Sequence, residues 1–78
     1  MKKIIVYGPG CPKCKQVEEL ARRVVKESGL EAVVEKVGDL KAMMAAGIIS
    51  TPALAVDGAV KSTGRVPKPE EIKKWLEE

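Results

Sequence analysis

Lys2-Lys3-Ile4-Ile5-Val6-Tyr7-Gly8-Pro9-Gly10-Cys11-Pro12-Lys13-Cys14 decides the fold, because it passes from strand to turn to helix and holds both cysteines of the chain. Lys2 to Tyr7 is rich in β-branched residues. Its near-continuous apolar run from Ile4 to Tyr7 suits a central strand covered on both faces. Gly8-Pro9-Gly10 closes the strand. Pro12 then stands where the first turn of a helix tolerates proline, with φ already set and no N–H to satisfy. Val17, Leu20, Ala21 and Val24 follow at i, i+3, i+4, i+7 spacing, opposite Glu18, Glu19, Arg22, Arg23 and Lys26. The helix is expected from about Pro12 to Glu27, with Gly29 after Ser28 supplying the left-handed cap.

Outward from this unit, Glu31 to Val37 reads as a second strand. Gly38-Asp39 opens a short helix through Met43, Met44 and Ala46 that Gly47 stops. Ile48 to Pro52 is a loop, and the proline presses Thr51 into extended backbone. Ala53 to Val56 and Ala59 to Ser62 are short strands joined by Asp57-Gly58, a strong hairpin signal because both central positions favour φ > 0. Pro69-Glu70-Glu71 opens a last helix with Ile72, Trp75 and Leu76 on its buried face. The order is β-α-β-α-β-β-α. A strand–helix–strand crossover gives a parallel pair and the hairpin adds two antiparallel strands. The expected class is α/β, a mixed four-stranded sheet with helices on both faces.

The chain has 78 residues, 45% hydrophobic and 32% charged. Residues 1–78 are therefore expected to form a single domain around one small core, burying about 60% of the unfolded surface. A disordered tail and a disulfide-dense secreted scaffold are excluded by this composition. There is no histidine, so no Ser-His or Cys-His catalytic pair and no imidazole zinc site can be built. The net charge of +3 comes from interspersed signs, with Tyr7 and Trp75 as the aromatics. That is a solubility charge rather than a nucleic-acid footprint.

No stretch approaches the roughly 20 apolar residues that span a bilayer, and Gly8-Pro9-Gly10 interrupts the start of any secretory leader. A cytoplasmic monomer that binds neither membrane nor nucleic acid is expected. The absence of Asn beside many Lys and Glu leans towards a thermophilic source.

Two cysteines three apart at a helix start lie on adjacent turns, with Cβ atoms about 5–6 Å apart, so a disulfide can close and open there with small local adjustment. Cys14, three before Val17, belongs to the apolar stripe. Cys11 is at the cap position, where free N–H groups and the helix dipole favour its thiolate, and Lys13 and Lys15 add positive potential. Cys11 is thus the expected nucleophile and Cys14 the resolving thiol of a redox-active pair that exchanges protein disulfides. This chemistry needs no metal or organic cofactor. As a structural staple the pair is poor, since so short a loop gains only about 2 kcal/mol. The alternative is a binding module in which two chains hold a metal or iron–sulfur cluster through their Cys pairs. A third reading is an interaction scaffold with the pair as redox sensor.

With Gly10-Cys11-Pro12-Lys13-Cys14 after the first strand, Ser50-Thr51-Pro52 before the third and Val56-Asp57-Gly58 in the hairpin, the chain resembles the thioredoxin/glutaredoxin superfamily. It is most similar to the small archaeal and bacterial thioredoxin-like redox proteins, over nearly its whole length. The resemblance implies a thioredoxin-like fold and a thiol–disulfide oxidoreductase working as an electron carrier. It implies a cis proline at Pro52 lying against the Cys pair, and a Thr51 backbone that pairs with the substrate. Pro12 and Lys13 would contact substrate between the cysteines.

The chain also departs from both parent patterns. Gly10 replaces the tryptophan of thioredoxins, and Ile4 to Tyr7 supplies no buried acid. Gly64-Arg65-Val66 replaces the Gly-Gly and acidic residues with which glutaredoxins cap glutathione. The implied electron donor is a thioredoxin-reductase-type flavoprotein or another dithiol. Arg65 otherwise reads as a solvated loop charge, with contact to an anionic substrate group as the alternative. Most of Met43, Met44, Ile48 and Ile49 read as packing beneath the sheet or loop, with an exposed apolar rim for docking partners as the alternative.

Overall fold

The computed structural model describes residues 2–10 and 12–78. The elements follow the expected order: β1 (Lys2–Tyr7), α1 (Pro12–Ser28), β2 (Ala32–Val37), α2 (Leu40–Ala45), β3 (Ala53–Val56), β4 (Ala59–Thr63) and α3 (Pro69–Glu77). The strands form one sheet in the order β2-β1-β3-β4. β1 pairs β2 in parallel, Lys2 with Ala32 through Tyr7 with Val37. It pairs β3 antiparallel, Ile4 with Val56 through Tyr7 with Ala53. β1 is therefore central, as its apolar run requires.

Side chains alternate across the sheet, and this divides the core. Ile4, Val6, Leu54 and Val56 face Val17, Ala21 and Val24 of α1 and Ile72 and Leu76 of α3. Tyr7, Ala53 and Ala55, with Ile5 and Val37 at the margin, face Met43 of α2 and Ile48 just beyond it. Two helices thus cover one face and a single short helix the other.

The ends of α2 decide which apolar residues enter this second layer. Asp39 caps the helix, its Oδ1 accepting the Lys41 N–H at 3.1 Å. At the far end Gly47 has φ +77°. Its N–H donates to the Met44 carbonyl at 3.0 Å and the Ile48 N–H to the Met43 carbonyl at 2.9 Å, the two bonds of a Schellman cap with its usual apolar contact, here Ile48 on Met43. The cap turns Ile48 inward and sends Ile49 out. Only half of the expected packing beneath the sheet is realised: Met43 and Ile48 are buried, while Met44 is 69% and Ile49 97% exposed. Met44 follows Met43 by one residue, about 100° around the helix, and so faces away.

The hairpin has Asp57 at φ 51° and Gly58 at φ 84°, with Asp57 Oδ1 accepting the Lys3 N–H at 2.9 Å. β3–β4 pairing carries an irregularity between Leu54 and Ala55, where Lys61 is passed over. α3 begins with Pro69 as its first residue. Ile72 and Leu76 are fully buried, but Trp75 is only half-buried at the edge of that cluster. The stripe on so short a helix is narrow and Trp75 lies on its margin. Arg65 is an exposed loop charge, as expected, but it is not unpaired. Its guanidinium makes two 2.9 Å bonds to the two carboxylate oxygens of Glu71, whose Oε1 also accepts the Lys68 N–H at 3.1 Å.

Candidate active site

Three loops meet at the carboxyl end of β1. The β1–α1 loop leaves from Gly8, whose N–H donates to the Val37 carbonyl at 2.9 Å. The β2–α2 turn lies beside it, a Cβ built on Gly38 falling 3.2 Å from the Gly8 carbonyl oxygen. The α2–β3 loop arrives from the other side, for the pairing of Tyr7 with Ala53 sets Pro52 next in register to Gly8.

Cys14 lies in the first turn of α1 and is 1% exposed, in line with Val17, Ala21 and Val24. Its sulfur rests on Gly8: a Cβ at position 8 would lie 2.2 Å from Cys14 Sγ. Pro12 and Lys13, which precede it in the helix, are exposed. Cys11 lies outside the described residues, so its role as nucleophile and its seat at the helix cap are taken up under Proposed function. The first turn of α1 carries no acidic residue. The ammonium of Lys36, at the end of β2, reaches to within 3.8 Å of where a Cβ on Gly10 would stand. The surroundings of the α1 N-terminus are thus basic, from Lys13, Lys15 and a Lys36 that no spacing in the sequence connects to the Cys pair.

The Thr51–Pro52 peptide is cis. Pro52 is buried and its carbonyl accepts the Gly64 N–H at 2.9 Å, which ties the β4–α3 loop to the site. Thr51 is exposed, and its N–H and carbonyl make no backbone hydrogen bond among the described residues. An extended peptide can add to such an open segment as a further strand. Beside it runs a groove of about 410 Å³ lined by Pro9, Gly38, Leu40, Met43, Ile48, Ile49 and Thr51. Leu40, 68% exposed at the start of α2, lies at its rim. Neither Leu40, Pro9 nor Gly38 stood out in the sequence, where a loop glycine or an isolated leucine carries no functional signal. Tyr7 is buried in the second core layer and does not line the groove. Arg65 is held by Glu71.

The comparisons with known proteins agree with this geometry. The family model described as thioredoxin domain matches residues 2–77. The chain is 47% identical over 76 residues to a thioredoxin of Methanothermobacter thermautotrophicus, spanning 97% of this chain and 99% of that protein. It is 38% identical over 73 residues to a thioredoxin of Methanocaldococcus jannaschii, spanning 94% and 84%. The solution structure of oxidised thioredoxin from Plasmodium falciparum superposes with a TM-score of 0.66 at 20% identity, covering 97% of this chain and 78% of that one, a likeness of fold. The chain belongs to the thioredoxin domain family and is a thiol–disulfide oxidoreductase.

Proposed function

We propose that the chain reduces or oxidises protein disulfides through Cys11 and Cys14, with Cys11 as nucleophile and Cys14 as resolving thiol. The observation that carries the assignment is the burial of Cys14 behind an exposed Pro12-Lys13. A sulfur so enclosed cannot meet a disulfide on another protein, but it can meet a neighbour on its own helix turn. In the reducing direction the Cys11 thiolate attacks one sulfur of the substrate disulfide, and the other sulfur leaves as thiolate. Cys14, losing its proton, then attacks Cys11 Sγ, and the substrate's second sulfur departs. Two electrons have passed to the substrate and the protein holds a Cys11–Cys14 disulfide. A thioredoxin-reductase-type flavoprotein or another dithiol donor reopens it. The relatives, named as thioredoxins, support disulfide-containing proteins as substrates.

In this reading Thr51 offers its open backbone to the substrate strand, Pro52 holds that backbone in place, and Pro12 and Lys13 form the lip of the site. The groove from Pro9 to Thr51 seats the residues flanking the substrate cysteine. Residues 1–78 act as one cytoplasmic domain and a monomer, without cofactor, nucleic acid or membrane. No helix among the described residues is long and apolar enough to cross a membrane.

The test is a pair of variants. Cys11→Ser is expected to abolish reduction of a protein disulfide and leave the melting temperature within a few degrees of the parent. Cys14→Ser is expected to attack substrate once and stop as a mixed disulfide, visible by mass. If Cys14→Ser blocks the first attack instead, the roles are reversed. Titration of the parent in graded dithiol/disulfide buffers, read by mass after alkylation, should show a two-electron transition at about −200 to −300 mV. Its position then gives the working direction.

A further inference from the structure

Position 8 carries no side chain, and the space one would fill is taken by sulfur. A Cβ on Gly8 would stand 2.2 Å from Cys14 Sγ and 2.9 Å from Cys14 Cβ. Non-bonded carbon atoms rest about 3.5–4.0 Å apart, so even a methyl group is too large. Rotating the sulfur alone does not relieve the contact, because the clash with Cys14 Cβ persists. Gly8 is fixed by its N–H bond to the Val37 carbonyl at 2.9 Å and by the Gly38 backbone against its own carbonyl. Tyr7 before it is paired on both sides, with Val37 and with Ala53.

We propose that Gly8 is a positioning residue for the second step of exchange, setting where the sulfur of Cys14 sits. This rests on the resolving role assigned to Cys14 above. Disulfide closure is demanding: the Cβ atoms must come within about 3.5–4.5 Å and the sulfurs within about 2.05 Å. A displacement of Cys14 Sγ by about 1 Å therefore falls on the step in which it attacks. In the attack of Cys11 on an external disulfide no bond to Cys14 Sγ forms or breaks. Enlarging residue 8 should slow resolution and spare the first attack, a division that general loss of stability does not produce.

The experiment uses the reduced full chain and excess of a symmetrical aromatic disulfide whose thiolate is coloured. The first equivalent of thiolate leaves when Cys11 attacks. The second leaves when Cys14 displaces it from Cys11, so that one probe molecule has gained two electrons and the protein's two thiols have become a disulfide. The parent should release both equivalents, the first at a rate proportional to probe concentration and the second at a rate independent of it. If it does not, the exchange reading itself fails, whatever residue 8 does. In Gly8→Ala the first release should stay within about twofold of the parent and the second should slow by about ten- to a hundredfold. Both releases at parental rates, or both slowed alike, would overturn the proposal. Should Gly8→Ala fail to fold, Gly8→Ala/Cys14→Gly, which removes both contacted atoms, should recover a folded chain by circular dichroism. An equally unfolded double variant would count against the proposal as well.

Discussion

Cys14 and Ser62 are both buried, with opposite consequences. The Cys14 sulfur lies against a backbone that has been cleared for it, at Gly8. Ser62 Oγ on β4 is enclosed with no hydrogen-bond partner among the described residues. A buried hydroxyl left unpaired costs about 1–3 kcal/mol, and replacing it with an apolar group of similar size removes that cost. Ser62→Ala is therefore expected to leave the urea midpoint unchanged or raise stability by about 1 kcal/mol. A loss of more than that amount would mean that the hydroxyl is in fact bonded. Ile49 shows a third situation. It is 97% exposed beside Thr51 in the groove, and its exposure follows from the cap at Gly47 rather than from its own chemistry.

At the scale of elements, two termini carry testable energetics. In the β3–β4 hairpin Gly58 has φ 84°, a conformation in which a Cβ is strained. Gly58→Ala should destabilise by about 1 kcal/mol or somewhat more, measured by urea unfolding, with little effect on exchange because the turn is at the opposite end of β3 from Pro52. At the start of α3 the Arg65 guanidinium, followed by the Lys68 N–H, holds the Glu71 carboxyl down from an ordinary value of 4.5 to about 2. Because the folded value is the lower one, the stability it contributes is fully present above about pH 4.5 and is lost as pH falls through about 2. Glu71→Gln should lower the melting temperature at neutral pH, and the difference from the parent should shrink as the pH falls through this window. The pair is open to solvent, so the effect is modest and weakens with salt. A difference that stays constant down to pH 2 would place its origin in packing instead.

The whole molecule rests on a larger core layer and a smaller one. The larger joins α1 and α3 to the sheet through Ile4, Val6, Val17, Leu54 and Ile72. A domain of this size is marginal, with total stability of the order of 5–15 kcal/mol. Ile72→Ala opens a cavity at the contact of α3 with both α1 and the sheet, and should cost about 2–5 kcal/mol. The urea midpoint should fall by a large fraction of its value, whereas Leu40→Ala on the exposed rim should scarcely move it. The smaller layer holds α2 through Met43 and Ile48, and the same segment borders the groove. The side of the fold that would meet a partner is thus the side with the thinner core.

The sequence by itself determined the elements and their order, because periodicity, caps and turn residues act within a few positions. The strand from Lys2 to Tyr7, the helix from Pro12, the Asp57-Gly58 turn and the stop at Gly47 could all be read locally, as could the burial of Cys14 from its spacing to Val17. Pro52 stood out only through a family resemblance. Tertiary structure alone decided which loops meet. The contact of Gly8 with the Cys14 sulfur and the clamp of Arg65 on Glu71 each span six residues across a loop, where no helix or strand period applies. The approach of Lys36 to Gly10 and the groove between Pro9 and Thr51 join residues far apart in the chain. Their meeting depends on β1 pairing with β2 and β3 in one register. A shift of one residue would turn every strand side chain to the other face and disperse the site, and no local signal encodes that register.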